Sequence, residues 1–374
     1  MTLTELSINN YRIFNNFYIN SLSRVNLLVG TNNSGKSSFL EAVHLLTSDD
    51  IASSLIVILN ERGELAANHI DDRYMPRRYT GYQISQIFHG RTIGFGLSAH
   101  IDSQDRALDI SIRKSTRNQQ EIITNQSAPS SEVETNLGNG SEEEVVKLLV
   151  FNQKRQTEID TKSLKLDDND NLSIDPRRYL SRATLSSSKS RMVTTNYLDY
   201  SELADLWDSI TLTPKEDKVV EALQILEPKV DRISFTSRQT SNSGILVRLK
   251  GEKEPFPLGS MGDGMRRIIA ISASLVSVED GTLLVDEIDT GLYYQALTDM
   301  WRLVLETAAK QDAQVFATTH SWDCVRAFQA ALNESSNPNM GCLIRLDKYE
   351  DKIYPVLYSA KDLDTAIEQN IEVR

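Results

Sequence analysis

Five mostly apolar residues, Val25-Asn26-Leu27-Leu28-Val29, run without a break into Gly30-Thr31-Asn32-Asn33-Ser34-Gly35-Lys36-Ser37. No other stretch restricts the fold as much. The pattern G-x-x-x-x-G-K-[ST] is a phosphate-binding loop, and its context is a buried strand before and a helix after. Glycines let the backbone curl so that successive N–H groups converge on phosphate oxygens. Lys36 is placed to reach β- and γ-phosphates, and the Ser37 hydroxyl to take one coordination position on Mg²⁺. The required helix is legible over Ser37 to Leu46, where Phe39, Leu40, Val43 and Leu46 recur on one side. Its positive end adds to the anion site.

The last third of the chain repeats this grammar. Met261 to Val278 predicts a helix, Thr282 to Asp286 a strand, Tyr293 to Ala309 a helix, Ala313 to Thr318 a strand, and a further helix starts at Trp322. Such alternation implies a parallel sheet with helices on its faces. Ahead of the phosphate loop, Leu3 to Ile8 and Phe17 to Ile19 read as short strands joined by a turn at Asn15-Asn16. The middle is more polar, with strand-like pieces at Thr92 to Ile101 and Ala107 to Arg113. Gln126 to Glu144, rich in Ser, Asn, Gly and Glu, reads as a linker. Thr213, with Pro214 next and Glu216 three residues on, marks a helix start with a capping box.

Three further motifs carry chemistry. Thr282-Leu283-Leu284-Val285 delivers Asp286-Glu287 to the carboxyl end of a buried strand, where ligands sit in open α/β sheets. Asp286 is suited to hold Mg²⁺ through water, and Glu287 to polarise a water attacking the γ-phosphate. Thr318-Thr319-His320-Ser321 ends the next apolar strand and offers His320 as a contact to the γ-phosphate. Leu258-Gly259-Ser260-Met261-Gly262-Asp263-Gly264 opens a helix with an N–H-rich turn, a second anion site in a chain that already has one.

Composition narrows the partners. A net charge of -12 disfavours coating nucleic acid over the whole surface. Local basic clusters at Arg73, Arg77 and Arg78, and at Arg177, Arg178, Arg182, Lys189 and Arg191, leave DNA as a partner of a patch, and each also suits an ordinary solvated face. No apolar run reaches the roughly 18 residues of a membrane span, and no secretory signal opens the chain, so the expected compartment is the cytoplasm. Two cysteines, Cys324 and Cys342, lack metal-ligand spacing.

Taken in order, phosphate loop, Ser-Met-Gly-Asp-Gly, Leu-Leu-Val-Asp-Glu and Thr-Thr-His-Ser, the motifs resemble those of ABC-type ATPases of the SMC, RecF and OLD group. The pattern is most similar to the stand-alone AAA15/OLD-like ATPases. That resemblance implies an α/β P-loop ABC-ATPase fold with a mixed, largely parallel sheet core, an antiparallel β lobe and an inserted helical subdomain. The expected division is 1–50 for the first part of the ATPase, 51–255 for the β lobe and insertion, and 256–374 for the second part. The resemblance also assigns roles. Gly30, Asn32, Asn33, Ser34, Gly35, Lys36, Ser37 and Ser38 look like the Walker A loop, and Asp286 and Glu287 like Walker B with its catalytic glutamate. His320 looks like the switch histidine. Ser260, Gly262 and Gly264 look like the signature that binds the γ-phosphate of the opposite subunit. Asn10 to Phe14 is similar to the aromatic-arginine element flanking the nucleotide, with Arg12 the residue carried over. Two departures stand out: Tyr293 follows Ile288-Asp289-Thr290-Gly291-Leu292 where DNA-repair members end in a D-loop aspartate, and the Q-loop is open between Gln83 and Gln86.

The implied activity is Mg²⁺-dependent hydrolysis of ATP by a homodimer, or a higher homo-oligomer, closed by two nucleotides. Too little chain follows Ser321 for a nuclease domain. The effector is thus expected to be a separately encoded protein, a Toprim-type nuclease being one candidate, in phage defence or DNA maintenance. The alternatives are a RecF-like ATPase binding duplex DNA, a transporter's nucleotide-binding subunit, which the long insertion fits poorly, and a non-hydrolysing scaffold, against which Glu287 argues.

Overall fold

All five residues of the run before the phosphate loop are buried, as strand β3 (Val25–Val29). This computed structural model describes residues 2–66, 80–92, 94, 96–116, 144–154, 158–166, 171–174, 189–195, 200–236 and 244–374. Burial of consecutive side chains needs strand neighbours on both edges and packed layers above and below. β3 has both. It lies inside a six-stranded sheet of order β10-β14-β15-β3-β16-β17. The others are β10 (Ser190–Val193), β14 (Thr282–Val285), β15 (Gln314–Thr318), β16 (Gly341–Tyr349) and β17 (Lys352–Ser359). The first five in the order run parallel, and β17 returns antiparallel. Asn26, polar yet fully buried, is satisfied locally: its amide donates to Ser23 O at 2.7 Å and its Oδ1 accepts from Ser23 N at 2.8 Å.

A second, antiparallel sheet has the order β2-β1-β5-β6-β7-β8, formed by Leu6–Tyr11 (β1), Phe14–Ile19 (β2), Ser98–Ser103 (β5), Arg106–Thr116 (β6), Glu144–Lys154 (β7) and Glu158–Lys165 (β8). A small antiparallel pair, β4 (Thr80–Tyr82) and β9 (Leu172–Ile174), forms a separate two-stranded sheet. The first hairpin turns at Arg12-Ile13 rather than at Asn15-Asn16, since Asn16 pairs with Asn9 and Phe14 with Tyr11. The earlier turn starts the return strand soon enough to bury both Phe14 and Phe17, leaving the two asparagines exposed on the strand. The strand expected from Thr92 begins only at Ser98. The linker expected over Gln126 to Glu144 lies outside the described residues except for Glu144, which opens β7.

Helix α1 (Lys36–Thr47) fills the space between the two sheets. Its Phe39 ring meets Phe17 of β2 edge-on at 5.9 Å and Phe316 of β15 at 6.0 Å. Burying such a ring contributes roughly 1.5–3 kcal/mol, so the phosphate-loop helix is anchored from both sides. Next comes α2 (Ile51–Glu61), whose buried residues extend the same core. The opposite face of the parallel sheet carries α6 (Leu297–Lys310), α7 (Trp322–Glu334) and α8 (Ala360–Glu368), with Trp301 against Phe328 at 4.6 Å.

The third core is a helical lobe of α3 (Tyr200–Ile210), α4 (Pro214–Gln224) and α5 (Asp263–Ser277) on a small sheet, β11-β12-β13 (Val230–Phe235, Ile245–Leu249, Phe256–Pro257). The cap of α4 departs from a capping box: Thr213 accepts from Lys215 N at 3.3 Å, but the Glu216 carboxylate accepts from Leu212 N at 2.7 Å instead of from Thr213. The architecture is a mixed α/β fold with a parallel core sheet, an antiparallel sheet and helical insertions. Within the stretch 51–255, β10 joins the parallel sheet as its edge strand, beside β14.

Candidate nucleotide site

Parallel strands bring their carboxyl ends to one edge, and here the register makes them level. Val285 pairs with Ala317, Thr318 with Leu28, and Val193 with Val285. The segments leaving β3, β14, β15 and β10 therefore meet on one side of the sheet, as expected for a ligand crevice in an open α/β sheet.

The loop after β3 adopts a conformation that needs its glycines. Gly30 has φ +142°, and a Cβ there would lie 2.7 Å from Leu346 O and 2.8 Å from Ser34 Oγ. Gly35 has φ +98°, with Ile13 Cγ2 2.9 Å from where its Cβ would be. Lys36, 7% exposed, folds its ammonium back onto the carbonyls of Gly30 and Thr31, both at 2.9 Å. Burial pushes the Lys36 pKa down, and Asp286 and Glu287 pull it back up. Ser34 Oγ is buried and has no hydrogen-bond partner among the described residues, while Thr31, Asn32 and Asn33 are exposed at the mouth.

Across the sheet, Ser37 Oγ donates to Asp286 Oδ2 at 3.1 Å. A hydroxyl and a carboxylate side by side form a hard oxygen pair suited to Mg²⁺, which uses one or two protein ligands and takes the rest from water and phosphate. No cluster of three or more His, Cys, Asp or Glu able to hold a metal occurs among the described residues. The other oxygen of Asp286 accepts from Thr318 Oγ1 at 2.6 Å, and the same hydroxyl accepts from Glu287 N at 2.8 Å. Glu287 itself has φ +49°, a left-handed conformation that costs a non-glycine residue about 1–2 kcal/mol, and Thr290 Oγ1 donates to its carboxylate at 3.2 Å. One residue on, Thr319 Oγ1 donates to Asp289 Oδ1 at 2.6 Å. His320 is exposed just beyond.

The turn after β1 lies against the loop, but through Ile13 and Phe14, the atoms nearest Gly35. The Arg12 guanidinium points elsewhere. It is 6% exposed and pairs with Glu41 at 2.5 Å and Glu64 at 2.7 Å. Arg62 also pairs with Glu41 and donates to Ser38 Oγ at 3.4 Å. Gln83 and Gln86 lie beside this network, Gln86 O accepting from Arg12 at 3.4 Å and Gln83 N donating to Glu64 O at 2.9 Å. Neither follows a strand of the parallel sheet. Ser260 is exposed, its hydroxyl donating to Pro257 O at 2.7 Å. Gly262, at φ +94°, precedes the first turn of α5, and Gly264 in that turn abuts Gly291, whose carbonyl oxygen would be 2.7 Å from a Cβ. Of the basic clusters, Arg73, Arg77, Arg78, Arg177, Arg178 and Arg182 lie outside the described residues; Lys189 pairs with Asp280 at 3.2 Å, and Arg191 is half-buried.

Thr318, Thr319, Glu41 and Arg62 were not singled out by sequence. Thr318 and Thr319 stood inside a quoted motif, and their proximity to a known acidic pair was a usable signal. Glu41 had none, since a lone glutamate on an amphipathic helix ordinarily faces water.

A protein named ATP/GTP phosphatase from Helicobacter pylori is 22% identical over 390 residues, covering 97% of this chain and 97% of its own. Among solved structures, an SmcHead bound to the C-winged helix domain of ScpA is similar over 98% of this chain and 100% of its own (13% identity, TM-score 0.49). The SMC head domain from Thermotoga maritima is similar over 96% and 100% (12% identity, TM-score 0.43). Among the described residues, no helix is long and apolar enough to cross a membrane. The AAA ATPase domain model matches residues 1–325. The chain is an ATPase and belongs to the AAA ATPase domain family.

Proposed function

We propose that this ATPase is a Mg²⁺-dependent homodimeric switch in which each ATP lies on the Gly30–Ser38 loop of one subunit and is covered by the Ser260–Gly264 turn of the other. One observation carries the reading: Ser37 and Asp286, 249 positions apart in sequence, are in hydrogen-bond contact at 3.1 Å, with Glu287 the next residue. Bound Mg²⁺ would neutralise charge on the β- and γ-phosphates, and Ser37 and Asp286 are the residues to hold it. Lys36 exchanges its two carbonyl partners for phosphate oxygens. Glu287 orients the attacking water as general base, and His320, exposed at the end of β15, reports on the γ-phosphate. Arg12 acts at a distance in this scheme, supporting α1 through Glu41.

The second anion-binding turn supports the dimer. Ser260 and Gly262 are exposed, so they are free to meet a phosphate presented by a twin. ATP binding would then close the pair and hydrolysis reopen it, biasing a two-state assembly. The order of motifs supports a cytoplasmic sensor working with a separately encoded effector, in the manner of OLD-like ATPases. The name of the Helicobacter relative supports GTP as a second substrate, so both nucleotides belong in the assay.

The test is Glu287→Gln. Phosphate release should fall about 100-fold or more, and the variant with ATP and Mg²⁺ should run at dimer mass by light scattering. Hydrolysis at the wild-type rate would remove Glu287 from the chemistry, and monomer mass under those conditions would remove the sandwich.

A further inference from the structure

Arg267 lies in the second turn of α5, the helix that the Ser260–Gly264 turn opens, and it is 0% exposed. A guanidinium so far from water is tolerated only when its N–H groups are used. Among its partners are backbone carbonyls at the nucleotide edge of the sheet. Nη1 donates to Thr194 O at 2.7 Å. Nη2 donates to Asp286 O and, at 2.9 Å, to Glu287 O. Thr194 directly follows β10 and Asp286 directly follows β14, two parallel neighbours that end level. One side chain of the helical lobe thus ties together the exits of two core strands.

Glu287 is gripped from both sides as a result. Its N–H donates to Thr318 Oγ1 at 2.8 Å, and its carbonyl accepts from Arg267. A residue held at φ +49° needs such over-determination to stay there. Gly262, just before this helix, and Gly264, in its first turn, lie only five and three residues before Arg267, about one turn away. A path of hydrogen bonds therefore runs from that helix end to the Glu287 turn.

We infer that Arg267 is a positioning residue that couples the signature helix to the Glu287 carboxylate, so that engagement of the Ser260–Gly264 turn by a second subunit's nucleotide sets the geometry of this subunit's own general base. The inference rests on the roles given above to Glu287 and to the Ser260–Gly264 turn. It adds a direction of communication: the signature of one subunit instructs the catalytic carboxylate of that same subunit, and the two sites of a dimer are linked. A purely structural Arg267 would knit the lobes together and affect folding and nucleotide affinity alike.

The experiment is a double-mutant cycle on the full chain. Arg267→Lys and Arg267→Gln are each made alone and with Glu287→Gln. The neutral glutamine is easier to bury should lysine prevent folding. Single-turnover hydrolysis of radiolabelled ATP, ATP affinity by calorimetry, and the thermal midpoint are measured for each. Either single variant should lose roughly 10- to 100-fold in hydrolysis rate, the scale of a small misplacement of a catalytic group, with ATP affinity within about threefold. In the Glu287→Gln background the same substitution should change the residual rate less than about threefold, because the group it positions is gone. A folded Arg267→Gln with wild-type rate overturns the inference. So does an equal loss in both backgrounds, a parallel loss of ATP affinity, or failure of both single variants to fold. Glu287→Gln alone at the wild-type rate is a different failure: it removes the general base, and this inference with it.

Discussion

Thr318 holds the carboxylate of Asp286 with its hydroxyl hydrogen and the N–H of Glu287 with its hydroxyl oxygen, at 2.6 and 2.8 Å. The residue is fully buried, and its two partners, Asp286 and Glu287, are half-buried. Thr318→Val keeps the shape of the side chain and removes both bonds. Its kcat should fall about 10- to 100-fold, as for groups that orient a metal ligand from behind. The variant should also lose about 0.5–1.5 kcal/mol of stability, since a half-buried donor loses its acceptor. Thr318→Ser should restore most of both. Steady-state phosphate release and urea unfolding on the three proteins check this; a Val variant with unchanged kcat would make Thr318 a packing residue only.

At the scale of elements, the phosphate-loop helix is positioned by packing on one side and by charge on the other. Phe39 sits between rings of both sheets, and Glu41, two residues on, is bracketed by Arg12 from the first hairpin and Arg62 from the end of α2. These pairs join the first hairpin, α1 and the end of α2, with Arg12 and Glu41 buried and Arg62 partly exposed. Both Arg12 and Glu41 are nearly inaccessible, at 6% and 5%, and each has a second partner, Glu64 for Arg12 and Arg62 for Glu41. Glu41→Ala should remove the shared carboxylate and leave Arg12 on Glu64 alone, costing about 1.5–3 kcal/mol of unfolding free energy, read from the urea midpoint. ATP affinity should weaken in step, because Ser38 and the loop lose their support. A loss below about 1 kcal/mol would mean that the network is relaxed in solution, as exposed ion pairs are.

For the whole molecule, the proposed sandwich puts half of each active site on each subunit. Lys36→Ala spoils the loop and leaves the signature; Ser260→Arg blocks the signature and leaves the loop. Each alone should be inactive. Mixed in equal amounts with ATP, half the dimers pair one of each, and one of their two sites combines an intact loop with an intact signature. The mixture should recover roughly a quarter of wild-type activity under random pairing in a two-fold assembly. Phosphate release from the mixture and from its separate components decides it. No recovery would place Ser260 and the nucleotide of a twin apart.

Local residue pattern alone determined the phosphate loop and its flanking strand and helix, the acidic pair, the histidine turn, and the α/β class. Each depends on neighbours in the chain: glycines where the backbone must curl, apolar runs where a strand is buried, a 3.6-residue period where a helix packs. The first turn was misplaced because an asparagine pair is a good turn former in isolation, and only the need to bury Phe14 and Phe17 together moves it to Arg12-Ile13. Arg12 read as a nucleotide ligand because of its place in a motif; the structure turns its guanidinium to Glu41 and Glu64 instead. Thr318 and Arg267 acquire meaning only from the level ends of parallel strands, which bring residues 194, 267, 286, 287 and 318 within hydrogen-bond reach. Chemistry of single motifs is written along the chain, because it depends on residue type and spacing. The grip on Glu287 is not, because hydrogen bonds between distant segments exist only once strand order and register have set which carbonyls face which donors.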